Sequence, residues 1–501
     1  MQQIVEKTGN LGYNFIKIGV EDFFKFLYEI FSHITKNGGN FMAQNNNLLY
    51  GQSKERLVSI FDAGTFVELG AYSRRSNAED FVGVVCGYGA VNGKLVFAFS
   101  QDSTRKKGAF DDKQAKKIVD MYSLALKNGA PVIGVFDSFG AIVYDGAAAL
   151  AAYGKVMKCV SEASGIIPQI AIVDGVCAGS MALIASMFDF TVTIKDKSKF
   201  YVNSPFVVGD ELKDNAFATK TGTSVYCADD EASAFAYAKA LIDLLPSNNS
   251  EGALVGDVAD DINKLVEFDP SAYTTDELVS KIADNSASIK LYSDYCETMG
   301  VYFATFGGVL ACVVASNPQN KGVLDIKATR IFAKLVTFCD SFNIPVVNFV
   351  DSEGLDVSLE AEYYAYSSEL ARLATAYGSS SNAKISVIIG KAYGAAFTLL
   401  GSKSLGADIV YALNSAEVSV LSPEASVAFV WNDKINADVT RESLEAEWKE
   451  KCASASEACN IGEVDDIIEP SELRKRICAA LSMLAYKTDS KPSRKHFNLP
   501  L

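Results

Sequence analysis

"IAIVDGVCAGSMALIA" at residues 170–185 and "ISVIIGKAYGAAFTLL" at residues 385–400 stand 215 positions apart and have the same grammar. Each is an apolar, β-branched run, then Gly-x-x-x-Gly, then small and apolar residues. A second pair, "APVIGVFDSFG" at 130–140 and "IPVVNFVDSEG" at 344–354, aligns at an offset of 214. Helical patterns precede both: "KKIVDMYSLALKNG" in the first half and "IFAKLVTFCDSFN" in the second. Strands this apolar, alternating with helices, signify α/β units whose sheet is covered on both faces. Two pairs in the same order at nearly equal offsets predict two copies of one α/β domain.

Length agrees, because 501 residues exceed what one ordinary core organises. A connector is expected between 250 and 285, where "LLPSNNSEGA" supplies turn residues and "EFDPSAYTTDELVSKIADN" carries one short helix. The expected organisation is an N-terminal extension over 1–45, a first domain over 46–265 and a second over 266–501. In the extension, Ile16, Val20, Phe23, Phe24, Leu27 and Phe31 recur at helical spacing, without the basic start of a signal peptide.

Composition excludes several functions. A formal charge of -15 argues against nucleic acid as a partner, since phosphate backbones require clustered Lys and Arg. The ten cysteines are scattered without a CxxC pair, which fits a reduced cytoplasm and gives no zinc site. His33 and His496, near opposite ends, are the only histidines, so nucleophilic mechanisms with a histidine base are poorly supported. No apolar run is long enough to span a bilayer.

The glycine turns admit four readings. A phosphate loop would need Lys-Ser/Thr at its end, and Gly394-Ala395-Ala396 has neither. A nucleophile elbow would use Cys177 between Gly175 and Gly179, but its counterpart is an alanine beside Tyr393 and no histidine is near in sequence. An oxyanion hole needs only backbone N–H groups at a helix start and a backbone that ligand can approach. The fourth reading is a tight packing corner without chemistry.

Longer motifs carry a resemblance. "KERLVSIFDAGTFVELGAY" at 54–72, "SGIIPQIAIVDGVCAG" at 164–179, "FCDSFNIPVVNFVD" at 338–351, "KAYGAAF" at 391–397, "VDDIIEP" at 464–470 and "SRKHFNLPL" at 493–501 resemble the carboxyltransferase subunit of biotin-dependent acyl-CoA carboxylases and decarboxylases. Propionyl-CoA carboxylase β-chains and methylmalonyl-CoA decarboxylase α-chains are the kinds most similar, and the resemblance extends over about residues 50–501. It implies two tandem crotonase-like ββα-superhelix domains, a homo-hexamer, and active sites between the first half of one subunit and the second half of another. The implied reaction moves a carboxyl group between carboxybiotin and the α-carbon of a short-chain acyl-CoA, propionyl/methylmalonyl or acetyl/malonyl. The biotin arrives on a separate biotin carboxyl carrier protein. A biotin carboxylase or a membrane-bound, sodium-pumping decarboxylase subunit would be the further partner, and no metal is implied. The implied location is cytoplasmic, with membrane association only through such a complex.

By position, the resemblance assigns Gly179 and Ser180 to the thioester oxyanion and Gly394 and Ala395 to the biotin oxyanion. Ala178, Gly140 and Ala141 would line the acyl-CoA side, Tyr393 and Thr398 the biotin side and acyl-chain choice, and Arg105 and Lys106 the CoA phosphates. The sequence also departs from the family. Ser180 and Ala395 replace glycines, which would cost about 1–2 kcal/mol each if the backbone there had positive φ. Ile142 replaces an arginine, and Glu353 a proline. These changes motivate a rival reading, a structural paralogue without activity. A hydratase or isomerase would need a pair of acidic residues over the thioester, and no such pair is evident. Lys158 in "VMKC" lies in a helical pattern with no carrier domain after it, so it is not expected to carry biotin.

Overall fold

The computed structural model describes residues 51–73, 82–104, 106–209, 217–253, 256, 260–436, 438–489, 492, 495, 496, 498 and 500. The chain divides into Met1–Gln52 and Ser53–Leu501. The amphipathic helix expected in 1–45 and the side chain of Arg105 lie outside the described residues.

Ser53–Leu501 contains two eight-stranded sheets of the same design. The first comprises β1 (Val67–Leu69), β2 (Val84–Val91), β3 (Lys94–Gln101), β4 (Val132–Ser138), β5 (Gln169–Ala178), β6 (Phe190–Ile194), β7 (Lys199–Tyr201) and β8 (Tyr226–Ala228). Their order is β1-β2-β3-β4-β5-β6-β8, with β7 paired to the end of β5. The second comprises β9 (Ser288–Leu291), β10 (Met299–Phe306), β11 (Val309–Ser316), β12 (Val346–Ser352), β13 (Lys384–Tyr393), β14 (Ile409–Leu413), β15 (Glu417–Ser419) and β16 (Asp466–Ile468). Its order is β9-β10-β11-β12-β13-β14-β16, with β15 paired to the end of β13. The duplication read from two sequence pairs thus extends to every strand.

Local chemistry accounts for the elements. β2 and β3 are joined by Asn92-Gly93, and β10 and β11 by Gly307-Gly308; all four residues have positive φ, as a two-residue hairpin requires. The remaining pairings from β3 to β8 and from β11 to β16 are parallel. Parallel strands need covered faces, and every residue of β4 is buried. The covering helices Asp112–Asn128 and Ile326–Ser341 start alike: Asp111 caps the Gln114 N–H at 2.9 Å and Asp325 the Ala328 N–H at 2.7 Å. Lys158 is on the exposed side of the helix Ala147–Ala163, paired with Glu162 at 3.5 Å.

Two cores form, one around Phe99, Phe136 and Tyr122, the other around Tyr302, Phe306 and Val347. Val266 and Tyr273 already belong to the second. Between the sheets, Phe190 meets Phe303 at 5.9 Å and Phe338 at 4.9 Å, both edge to face.

The registers of the central parallel pairs break at equivalent points. Phe136 opposes Val173 and Ser138 opposes Cys177, so three residues of β5 face Asp137 alone. Likewise Val350 opposes Ile388 and Ser352 opposes Ala392, leaving three residues of β13 against Asp351. Each aspartate fills its bulge. Asp137 Oδ1 accepts the Val176 N–H at 3.3 Å, and Asp351 Oδ1 accepts the Lys391 N–H at 2.9 Å. A Cβ at Gly175 would fall 2.2 Å from Asp137 Oδ1, and one at Gly390 2.4 Å from Asp351 Oδ1. The first glycine of each Gly-x-x-x-Gly is therefore the space that the carboxylate occupies.

The two carboxylates are held differently. In the first half, buried Arg56 of the helix Gly51–Ile60 donates from Nη1 and Nη2 to Asp137 Oδ2 at 3.2 Å, and to the carbonyls of Gln101 and Asp174 at 3.0 and 2.9 Å. Arg56 and Lys197 also pair with the Asp174 carboxylate. In the second half, Tyr273 Oη donates to Asp351 Oδ2 at 3.3 Å, and Asp351 makes no ion pair among the described residues. Burial pushes the Asp351 carboxyl above its ordinary value, against the Lys391 N–H bond.

Gly390→Ala is expected to lower the melting temperature, a loss of about 1–3 kcal/mol from overpacking. Gly154→Ala, in a helix interior with no atom within 4 Å of the added carbon, should raise stability by about 0.5–1 kcal/mol. Calorimetry on both variants checks the contrast. Burial, opposed by Arg56, lifts Asp174 to about 6. Between the unfolded value of about 3.9 and that folded value, the folded state holds the extra proton, so this group's contribution to stability falls as pH rises through the window. Asp174→Asn should therefore lose less melting temperature than the parent between pH 4 and pH 6, both pH values approximate.

Candidate functional site

Each bulge ends in a turn. After β5, Gly179 takes φ 62° and ψ -131° and heads the helix Ser180–Ser186. After β13, Gly394 takes φ 60° and begins the helix Gly394–Leu399. Only glycine adopts such φ values without strain. The second glycine of each motif thus supplies a left-handed corner that reverses the strand into a helix start. Ser180 and Ala395 are not among the residues with positive φ, so the strain considered for a side chain at these positions does not arise.

The corners are dressed differently. The Gly179 N–H is taken by the Tyr201 carbonyl at 3.1 Å, an extension of the β5–β7 pairing. Gly179 O accepts from Ala182 and Leu183 at 3.0 and 3.4 Å, which makes Ser180 the first donor lacking an acceptor inside its own helix. This departs from the expectation that Gly179 itself offers its N–H: β7 consumes that donor. Around the first turn the flanking side chains are Ala178, Phe139 and Val202, with the last two exposed. Around the second, Tyr393 Oη donates to Glu417 Oε2, Lys391 pairs with Glu353 at 2.8 Å, and Lys449 also pairs with Glu417. Burial, aided by Glu417, pushes the Tyr393 phenol well above its ordinary value, so it stays protonated as a donor. Ala395 and Thr398 are exposed on the outer face of the short helix.

Gly140, Ala141 and Lys106 come together in one loop cluster on the first half. Phe110 N–H bonds Gly140 O at 2.8 Å, Ile142 N–H bonds Phe110 O at 3.1 Å, and Phe139 N–H bonds Lys107 O at 3.0 Å. The Ser138–Cys177 pairing carries that cluster to the end of β5, beside Ala178. Lys106 and Lys107 are exposed and sit at φ 48° and 54°, and Lys107 Nζ lies 5.8 Å above the Phe139 ring. Two lysines in a left-handed stretch carry strain of about 1–2 kcal/mol each, which structure elsewhere must offset. Gly140 has φ 124° and Gly354, its counterpart, 131°; Ser138 and Ser352 bond their N–H groups at 3.3 and 3.2 Å.

Two clefts, of about 360 and 1040 Å³, lie elsewhere: one between Phe190 and Phe338, the other around Tyr295, Lys321 and Asp356. Neither is lined by a residue of either glycine turn. Exposed apolar side chains follow the strands that pair with the ends of β5 and β13: Phe206, Val207 and Val208 after β7, and Val420 and Phe429 after β15. Among the described residues no group of three His, Cys, Asp or Glu side chains is placed to hold a metal ion. None of their helices is long and apolar enough to cross a membrane.

Sequence reasoning found the turns and missed the groups beneath them. Asp137 and Asp351 were visible as the shared "DS" of "VFDS" and "FVDS", but Arg56, 81 positions before Asp137, gives no local signal.

Known proteins share this frame. Residues 52–499 match the carboxyl transferase domain family. The chain is 32% identical over 510 residues to the methylmalonyl-CoA decarboxylase subunit alpha of Veillonella parvula, covering 96% of this chain and 99% of that one. It is 33% identical over 480 residues to the propionyl-CoA carboxylase carboxyltransferase subunit of Haloferax mediterranei, covering 90% and 93%. Transcarboxylase 12S, a hexamer solved with methylmalonyl-coenzyme A and methylmalonic acid bound, superposes with a TM-score of 0.85 at 31% identity over 97% of this chain and 100% of that one. The doubled crotonase-like fold, its two glycine turns and these matches over nearly the whole length place the chain in the carboxyl transferase family, as a carboxyltransferase of the biotin-dependent acyl-CoA type.

Proposed function

We propose that this protein exchanges a carboxyl group between a propionyl- or methylmalonyl-type acyl-CoA and biotin carried on a separate protein, with one glycine turn serving each reactant. The observation that carries the reading is the pair of left-handed glycines, Gly179 and Gly394, each heading a short helix at the same place in its sheet. Backbone donors at such a start can face negative charge on a reacting oxygen without any histidine. Ser180 leads the donors on the acyl-CoA side, where Ala178, Phe139 and Val202 suit an apolar acyl chain. Gly394 and Ala395 serve the other side, where Tyr393, Glu417 and Lys391 suit a polar ureido ring. Biotin supplies the carboxyl carrier; the protein supplies position and charge stabilisation. The border between the acyl-CoA and biotin domains belongs near 265/266, consistent with Val266 packing in the second core.

Gly140, Ala141 and the exposed Lys106 form the rim expected to meet the rest of the acyl-CoA, with Lys106 near its phosphates. Exposed apolar residues follow the strand beside each turn, and neither turn lines the two clefts described, which supports a site completed by a second subunit in a hexamer like that of transcarboxylase 12S. A biotin carrier protein and a biotin carboxylase or a membrane decarboxylase subunit are the further partners. The decarboxylating direction is favoured by one observation, the end-to-end match to a methylmalonyl-CoA decarboxylase α-subunit.

Purified protein with free biotin and methylmalonyl-CoA should release CO2 in a biotin-dependent way; no consumption of methylmalonyl-CoA or malonyl-CoA would sink the reading. Ala395→Pro deletes one N–H at a helix start that tolerates proline, and should lower kcat about 100- to 1000-fold while leaving propionyl-CoA affinity unchanged by calorimetry. Lys106→Glu should weaken CoA-thioester binding; unchanged affinity removes Lys106 from the phosphate site.

A further inference from the structure

We propose that Asp351 is a positioning residue for the second glycine turn, holding its backbone donors in line through the bulge that its carboxylate fills. The inference rests on the proposed role of that turn, and concerns a residue that would touch neither reactant. Between Val350 and Ser352 the chain gives β13 three residues to accommodate, and these must bow away from β12. Asp351 Oδ1 takes the Lys391 N–H at 2.9 Å, the one bowed backbone donor it reaches, and Gly390 leaves the space to do so. Three residues beyond Lys391 lies Gly394. With the bow pinned, β13 resumes pairing at Ala392 and meets β15 over Lys391, Ala392 and Tyr393, so the corner leaves a strand fixed on both edges.

The first half shows why this task is more exposed to mutation in the second. Asp137 is clamped by the two guanidinium nitrogens of Arg56 at 3.2 Å and by Ser103 Oγ at 2.8 Å. Asp351 has the Lys391 N–H and the Tyr273 hydroxyl. An acceptor oxygen is what the bulge requires, since the bond to Lys391 N–H is made by Oδ1 alone. An amide can replace that oxygen and donate its NH2 to the Tyr273 oxygen, whereas a methyl can do neither.

The test uses the full-length protein, with biotin-dependent methylmalonyl-CoA decarboxylation for rate and titration calorimetry with propionyl-CoA for binding. Asp351→Ala should lower kcat about 30-fold or more, with the propionyl-CoA Kd within about twofold, because the first turn is untouched. Asp351→Asn should recover most of the rate, within about threefold of the parent. A merely structural role predicts instead that Asn and Ala lose rate in proportion to melting temperature, and that propionyl-CoA affinity falls with it. Should Asp351→Ala fail to fold, Tyr273→Phe decides: a loss of about three- to tenfold in kcat at unchanged Kd supports the role, and an unchanged kcat overturns it. Parent-like turnover in Asp351→Ala, or Asn as damaging as Ala, also overturns it. Absence of biotin-dependent turnover in the parent protein fells the assigned function and this inference together, an outcome distinct from a parent that works beside an equally active Asp351→Ala.

Discussion

A buried carboxylate pressed against a glycine is the contact on which both ends of this molecule depend. Asp137 sits where a Cβ on Gly175 would stand, and Asp351 where a Cβ on Gly390 would stand. Each bonds the next backbone N–H and so holds a bulge open in the central strand of its sheet. A bulge bends a strand and re-aims the residues after it. Here those residues lead, four positions past the glycine, to the left-handed corner that starts a helix. Burying a carboxylate is costly unless its oxygens are satisfied, so its presence at equivalent points in both halves marks a geometry that apolar packing alone would not produce.

The doubled fold was legible because parallel strands in a covered sheet need unbroken apolar runs, and "IAIV" and "ISVI" announce them at a fixed offset. Hairpins were equally accessible in principle, since Asn92-Gly93 and Gly307-Gly308 are turn pairs by their own chemistry. The reason for the first glycine of Gly-x-x-x-Gly was not legible, because it lies in a side chain on another strand, 38 residues earlier for Gly175 and 39 for Gly390. Arg56 was hidden in the same way. The sequence also left open whether Ser180 and Ala395 are strained, and backbone geometry removes that objection by placing the positive φ one residue earlier in each turn.

Where the halves differ, they differ in charge more than in shape. Positions that hold Val176, Phe139, Ala178 and Lys199 around the first turn hold Lys391, Glu353, Tyr393 and Glu417 around the second. In the second half these form closed pairs, Lys391 with Glu353 and Tyr393 with Glu417. Such pairs at a partly exposed rim contribute little to stability. Their value lies in orienting donors and acceptors, which an apolar rim cannot do. Duplication thus preserved the left-handed glycine corner while its surroundings diverged, an asymmetry that fits the two different reactants proposed for the turns.

That division of labour also bears on assembly. Neither turn lines the two clefts described above, and large apolar side chains stand exposed after the strands that flank them, Phe206 at 93% after β7 and Phe429 at 86% after β15. Large apolar groups are rarely left in water in such clusters, and a reaction with negative charge developing on two oxygens gains from a dry, low-dielectric surround. Under the proposed roles, a surface that presents the first turn with its apolar rim and another that presents the polar second turn are complementary in function only if they face each other. If the two turns serve the two reactants as proposed, a second copy packed over them would at once cover these apolar side chains and exclude water from the transfer.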